Sequence, residues 1–370
     1  MNTLPITHPL SGGLTAAAPL VQALRGTRPS RLPVWFMRQA GRSLPEYREL
    51  RAQTSMLDAC LDPAQAAEIT LQPVRRHGVD AAIFFSDIVI PLKMAGVEVD
   101  IVAGRGPVFA RPVRTAADVE RLRAEHPVER LREAMSPIRE AVQLVTAELG
   151  GTPLIGFAGA PFTLAAYLVE GGPSRDHLRA RTLMRADPAA WNALLTWTAE
   201  LSGVFLEEQV LAGASAAQLF DSWAGSLGTH DYAQHVAPSS AHTLARVQQL
   251  RWVDPASGDA TQHQIPTIHF AVGADHLLEE FATLHTSALG IDWRIPLDHA
   301  SARLGHRVPL QGNLDPALLF APPAAIEAHL NEVIEQGRSA PAHVLNLGHG
   351  VPPETDPEVL TRIVRLAHGE

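Results

Sequence analysis

The chain has 370 residues, 46% hydrophobic and 19% charged, with 29 prolines and 27 glycines scattered along it, a globular composition with ample material for a core. Basic residues number 30 against 39 acidic ones, so the formal charge is −9 with no like-charged block, which argues against a general nucleic-acid or acidic-membrane binder. The single cysteine, Cys60, permits no internal disulfide and by itself builds no thiolate zinc site or iron–sulfur cluster.

The N-terminus, about 1–24, has no basic start followed by an apolar run, and nowhere do 18 apolar residues follow one another. No membrane association and a cytoplasmic location are therefore expected. Residues 1–24 read as a flexible N-terminus, and 25–33 as a flexible approach to the first strand. Eight short apolar or β-branched segments follow, at 34–37, 81–85, 153–157, 216–220, 267–272, 288–291, 308–310 and 343–347. Between them, apolar residues recur at three and four positions over 63–76, 130–149, 188–211, 276–285 and 323–336, which predicts amphipathic helices. Strands alternating with helices predict an α/β fold, a single-domain (β/α)8 TIM barrel over 1–370, with an open doubly wound sheet as the alternative. Two stretches interrupt the alternation: an inserted hairpin at 97–113 and a polar excursion at 251–264.

A barrel places its active site at the C-terminal ends of the strands. The residues there are Arg38-Gln39-Ala40-Gly41-Arg42, Ser86-Asp87, Ala158-Gly159-Ala160-Pro161, Asp221-Ser222, Gly273, Asp292-Trp293, Gly312-Asn313 and Gly348-His349-Gly350. Nucleotide signals fail: no G-x-G-x-x-G follows a strand, and a P-loop lysine is missing because Lys93 is the only lysine. Lys93 has no evident helper for Schiff-base chemistry. The 17 histidines show no H-E-x-x-H spacing, so no catalytic metal is expected. With 29 of the 30 basic residues arginine, as a GC-rich coding bias would produce, an arginine is informative only where its position is special.

The strongest local signal is Pro33-Val34-Trp35-Phe36-Met37-Arg38-Gln39-Ala40-Gly41-Arg42, followed by Pro45-Glu46-Tyr47-Arg48-Glu49-Leu50-Arg51. Arg38 and Arg42 flank a small turn that brings backbone N–H groups and two guanidinium forks to one anionic ligand. For Arg48 and Arg51 an ordinary surface role competes. With these residues in view, the sequence resembles the uroporphyrinogen decarboxylase family. The run from Trp35 to Arg42 resembles its first signature, and Gly156-Phe157-Ala158-Gly159-Ala160-Pro161-Phe162-Thr163 its second. Further matches are Phe85-Ser86-Asp87, Tyr167 with Val169-Glu170-Gly171-Gly172, Phe220-Asp221-Ser222-Trp223-Ala224-Gly225, Gln311-Gly312-Asn313-Leu314-Asp315-Pro316 and Asn346-Leu347-Gly348-His349-Gly350. They span nearly the whole chain in order. Ser43, where the family usually carries tyrosine, and the excursion at 251–264 depart from the pattern.

The resemblance implies a cofactor-free (β/α)8 enzyme of haem and related tetrapyrrole biosynthesis, commonly a homodimer. It would convert the four acetate side chains of uroporphyrinogen III to methyls, giving coproporphyrinogen III and carbon dioxide. It assigns substrate binding to Arg38, Gln39, Ala40 (through its backbone), Gly41, Arg42, Arg51, Asp87, Tyr167, Ser222 and His349, and catalysis to Asp87 with Arg38. The chemistry suits these residue types. Losing CO2 from a pyrrole acetate leaves an unstabilised carbanion unless the ring, once protonated, accepts the electron pair. A carboxylate facing the pyrrole N–H groups stabilises that cation, and Asp87 is placed for it; an aspartate at a strand end is otherwise a helix cap. The substrate carries eight carboxylates while the protein is net negative, so attraction must come from a local basic cleft. Tyr167 and Ser222 offer hydroxyl donors, and His349, between two glycines, an imidazolium. The proton donor is left open, since a guanidinium is a poor general acid. Two other classes compete: a related barrel methyltransferase, which would normally need cysteine or histidine zinc ligands, and a non-catalytic tetrapyrrole carrier, which would not need Asp87.

Overall fold

The computed structural model describes residues 3–102, 104–256 and 261–370. Seven strands form one parallel sheet, each paired with its neighbours in sequence: β1 (Ala82–Ile83), β2 (Leu154–Gly159), β3 (Ala216–Phe220), β4 (Thr267–Phe270), β5 (Ala288–Gly290), β6 (Leu310–Leu314) and β7 (His343–Leu347). The register runs from Ala82 opposite Leu154 to Leu314 opposite Leu347. Nearly every strand residue is buried, as expected of a parallel sheet covered on both faces.

The expected first strand, 34–37, is a correction. It contributes one parallel bridge, Val34 to Leu345, so the sheet is a curled half-barrel of seven strands where a closed eight-stranded barrel was expected. The reason is local. Pro33 has no N–H, and the N–H groups of Phe36 and Met37 go to side chains, Gln39 Oε1 at 2.9 Å and Asn346 Oδ1 at 3.0 Å, instead of to a strand. Residues 33–35 nevertheless lie between the two edges of the sheet. Leu345 N–H donates to Pro33 O (2.9 Å), Asp80 N–H to Val34 O (2.7 Å), and Val34 N–H to the buried Asp80 Oδ2 (2.8 Å).

The helices follow the apolar periodicity and their caps. Pro63–His77 starts at Asp62, whose side chain accepts the Gln65 N–H, and ends at the left-handed Gly78. The periodicity read over 130–149 is split into Val128–Ala134 and Ser136–Leu149, with Pro137 in the first turn of the second helix. Pro188–Ala212 is buried along most of its length and ties itself to β2: Gln209 bonds both the N–H and the C=O of Phe157, and Ser202 donates to Gly159 O at 2.7 Å. Residues 3–24, read as flexible, pack onto the body, with Leu10, Leu20 and Val21 buried and Thr15 Oγ1 bonded to Ser215 Oγ at 2.8 Å. Within 97–113, Val99–Val102 and Gly106–Phe109 pair antiparallel; within 251–264, Arg251–Val253 and Gln262–Gln264 do the same. Among the described residues no helix is long and apolar enough to cross a membrane.

Two buried histidines make stability depend on pH. Burial holds His77 and His343 at about 4, the Arg76 cation adding to the effect on His77, while His343 Nε2 donates to Gly312 O at 2.6 Å. Since the unfolded chain takes up these protons near the ordinary value of 6.5, their contribution is intact above pH 6.5 and is lost as pH falls towards 4, by about 3 kcal/mol per histidine. Thermal melts between pH 7.5 and 4.5 should therefore shift downward through this window, and less steeply for His343→Gln. A flat profile, or equal slopes, would contradict the assignment.

Candidate active site

The arginine turn is held by its neighbours. Gln39 N–H donates to Phe36 O (3.0 Å), Gln39 Nε2 to Ala81 O (3.0 Å), and Val351 N–H to Met37 O (2.8 Å). These bonds fix Arg38 in the left-handed region, φ 61°, which an ordinary residue adopts only when its surroundings impose it. The Gln39 side chain is fully buried and spent on the backbone, so it positions the turn, and its carbonyl remains for a ligand.

Around this turn the other expected residues divide. Arg38 and Arg42 are exposed, and their guanidinium groups have no hydrogen bond or ion pair among the described residues, unlike Arg75, Arg76 and Arg303, which are spent on neighbouring glutamates. The N–H groups of Ala40, Gly41 and Arg42 likewise have no partner among the described residues, leaving a run of donors between two cations. Arg51 folds back on its own helix end, with Nη1 2.5 Å from Thr54 O and Nε 3.4 Å from the Tyr47 hydroxyl, so much of its donor capacity is used.

Asp87 follows β1. Its Oδ1 accepts the Val89 N–H at 3.0 Å, the turn-capping role open to any aspartate here, and this is its one side-chain hydrogen bond among the described residues. Burial raises its pKa above the ordinary carboxylate value, while the Val89 N–H and the Arg38 charge oppose the rise. Tyr167, on the helix Pro161–Glu170, is pushed up to about 12 by burial and by the Asp87 charge, with Arg38 opposing. Asp87, Arg38 and Tyr167 are thus close enough to act on one another electrostatically. Cys60 lies under the same corner, 1% exposed, its thiol raised by burial and by Asp87.

Tyr167 stacks on Trp223 at 3.8 Å between centroids, and Trp223 on His177 at 4.3 Å. His177 is buried with φ 49°, and neither ring nitrogen has a partner among the described residues. The loop after β3 is braced from below: Thr163 Oγ1 donates to Asp221 Oδ1 at 2.9 Å and accepts the Trp223 N–H at 3.4 Å, and His269 Nε2 lies 3.8 Å from Asp221 Oδ2, both residues fully buried. This leaves Ser222 on a cleft of about 440 Å³, shared with Trp223, His177, Arg175 and Arg181. The stack joins that cleft to the Tyr167 side of the site.

His349 is half-buried. Burial, then the charges of Arg38 and Arg294, hold its pKa below the ordinary value, which favours the neutral ring near pH 7. It can donate an N–H but brings no charge. The sequence reading passed over Arg294, His177 and the Asp221–His269 pair; only Asp292-Trp293, at the end of β5, pointed toward the first. Among the described residues, no three histidine, cysteine, aspartate or glutamate side chains gather as a metal ligand set.

Fold and site define an α/β protein of the class that meets its ligands at the carboxyl ends of a parallel sheet, here with a basic turn near a partly buried carboxylate. The chain belongs to the uroporphyrinogen decarboxylase family: the family model described as "Uroporphyrinogen decarboxylase (URO-D)" matches residues 15–370. The uroporphyrinogen decarboxylase of Leifsonia xyli subsp. xyli (strain CTCB07) is 62% identical over 372 residues, covering 100% of this chain and 99% of its own. That of Arthrobacter sp. (strain FB24) is 62% identical over 356 residues, covering 96% and 98%. In the solved structures, a methyltransferase from Methanosarcina mazei shares the fold, with TM-score 0.73, 18% identity, and coverage of 96% and 98%.

The Arg38 side chain packs where a Gly350 side chain would stand, its Cγ 2.7 Å from a Cβ placed there. Gly350→Ala should displace Arg38 and lower kcat/KM by about tenfold, the scale of one charged hydrogen bond, with little change in melting temperature. Steady-state kinetics and a thermal melt check this; wild-type kinetics would mean that Arg38 does not need its present position.

Proposed function

We infer that the protein decarboxylates the four acetate arms of uroporphyrinogen III, releasing four CO2 and coproporphyrinogen III in tetrapyrrole biosynthesis. One observation carries the reading: at the end of β1 a partly buried carboxylate, Asp87, lies within electrostatic range of Arg38 and Tyr167, near a turn whose cations and N–H donors have no partner among the described residues. The family match supports the substrate. A single-domain closed (β/α)8 barrel, with residues 33–35 in the eighth strand position, a homodimeric state and a cytoplasmic location belong to the same reading.

Each turnover begins with a proton added to the pyrrole α-carbon, which makes the ring cationic. The bond to the carboxylate carbon then breaks, its electron pair flows into the ring, and CO2 leaves an exocyclic methylene. A proton on that methylene and loss of the first from the ring give the methyl group. Asp87 accepts the pyrrole N–H groups and balances the ring charge; opposite charges about 4 Å apart at an effective dielectric near 20 interact by roughly 4 kcal/mol. Arg38 and Arg42, with the Ala40 and Gly41 N–H groups, hold the carboxylate arms. Tyr167, protonated throughout, and Ser222 donate hydrogen bonds, and His349 adds a neutral N–H. Arg51, partly engaged, steadies the rim.

The test is anaerobic incubation with uroporphyrinogen, without added metal or cofactor, counting carboxylates in the products. Asp87→Ala should lower CO2 release by about 10²–10³-fold, the cost of removing one preorganised electrostatic group, while macrocycle binding changes less. Equal loss of both, or retained turnover, would contradict the role of Asp87 and favour a carrier. Arg38→Lys should lower kcat/KM by roughly tenfold or more, because a point charge does not reproduce a planar fork; unchanged kinetics would count against a two-pronged contact.

A further inference from the structure

The Gly348-His349-Gly350 turn is packed from two directions. Arg38 occupies the space beside Gly350, and Trp293 occupies that beside Gly348, its Cβ 2.9 Å from where a Gly348 Cβ would stand. The Trp293 indole meets the His349 ring edge-on at 6.3 Å between centroids, and the Arg294 guanidinium lies over that indole, 4.0 Å from its centroid. The buried Asp292 fixes Arg294 in place: Oδ1 accepts the Arg294 N–H at 2.9 Å, and Oδ2 accepts Nη1 at 2.7 Å together with the Gly273 N–H. The Arg294 side chain is still 47% exposed, and its Nε and Nη2 have no partner among the described residues. A solvated surface arginine ordinarily lacks such a scaffold; here the ordering cost is met before a ligand arrives.

We propose that Arg294 is a further substrate-binding residue, which, with Arg38 across His349 from it, holds a peripheral carboxylate arm of the macrocycle. The proposal rests on the decarboxylase reading. A carboxylate brought to His349 leaves water for a ring that carries no charge near pH 7, so its compensation has to come from the flanking guanidinium groups. Arg38 is shared with Asp87, whereas Arg294 keeps two donors open toward solvent. Asp292 takes up part of the Arg294 charge, yet it engages only Nη1 and leaves the rest of the fork free.

The experiment compares Arg294→Gln with wild type in two assays. In anaerobic turnover of uroporphyrinogen, KM should rise about tenfold with kcat within about twofold, as expected for loss of one half-exposed charged hydrogen bond made equally in ground and transition states. In equilibrium dialysis, coproporphyrinogen, a tetracarboxylate, should bind more weakly by a similar factor, and Arg294→Lys should recover part of that loss. Unchanged KM and unchanged dialysis binding in Arg294→Gln would overturn the proposal. A fall in kcat at unchanged KM would overturn it too, by marking Arg294 as structural. Failure of the wild type to release CO2 would instead refute the decarboxylase reading, and dialysis would still judge Arg294 as a carboxylate contact.

Discussion

Asp87 is partly buried at the mouth of the sheet, with one neighbouring N–H and one nearby cation to stabilise its charge. Burial alone would neutralise it, and Arg38 alone would hold it firmly ionised; the site sets one against the other. A group poised in this way gains most when N–H donors or positive charge enter the mouth, because little else competes for its second oxygen. The geometry of Arg38 is therefore the controlling variable. It is set by backbone bonds that place Arg38 in a left-handed conformation costing about 1–3 kcal/mol, offset by the bonds of Gln39 and Asn346 to the strand-like segment before it.

The surrounding groups follow a consistent electrostatic plan. Tyr167 keeps its proton, His349 stays neutral near pH 7, and the Cys60 thiol is held protonated beneath Asp87. Charge is concentrated in guanidinium groups and in the Asp87 and Asp292 carboxylates, so the mouth carries local cations although the protein as a whole is negative.

How far this was legible in the chain depends on the range of the interactions. Strands at 216–220 and 343–347 agree with their apolar runs, because propensity and burial point the same way. Segment 34–37 is likewise apolar, yet side chains from Gln39 and from the distant Asn346 take the N–H groups a ladder would use, and no local pattern reveals a partner about 300 residues away. The helix break near 135 was readable in Pro137. In the site, Arg38 and Asp87 stand where strand ends put them. Gln39 was read together with the rest of the arginine turn, and only coordinates reveal its side chain turned inward. Arg294 was obscured by an arginine-rich background, and His177 by a loop whose stacking on Trp223 depends on tertiary packing.

Residues 33–35 both fill the gap between the outermost strands and lead directly into the arginine turn. The arginine turn thus shares its backbone with a seam spanning contacts between chain positions near 34, 80 and 345. On the ribosome that turn lacks its Leu345 and Asn346 contacts until translation is nearly finished.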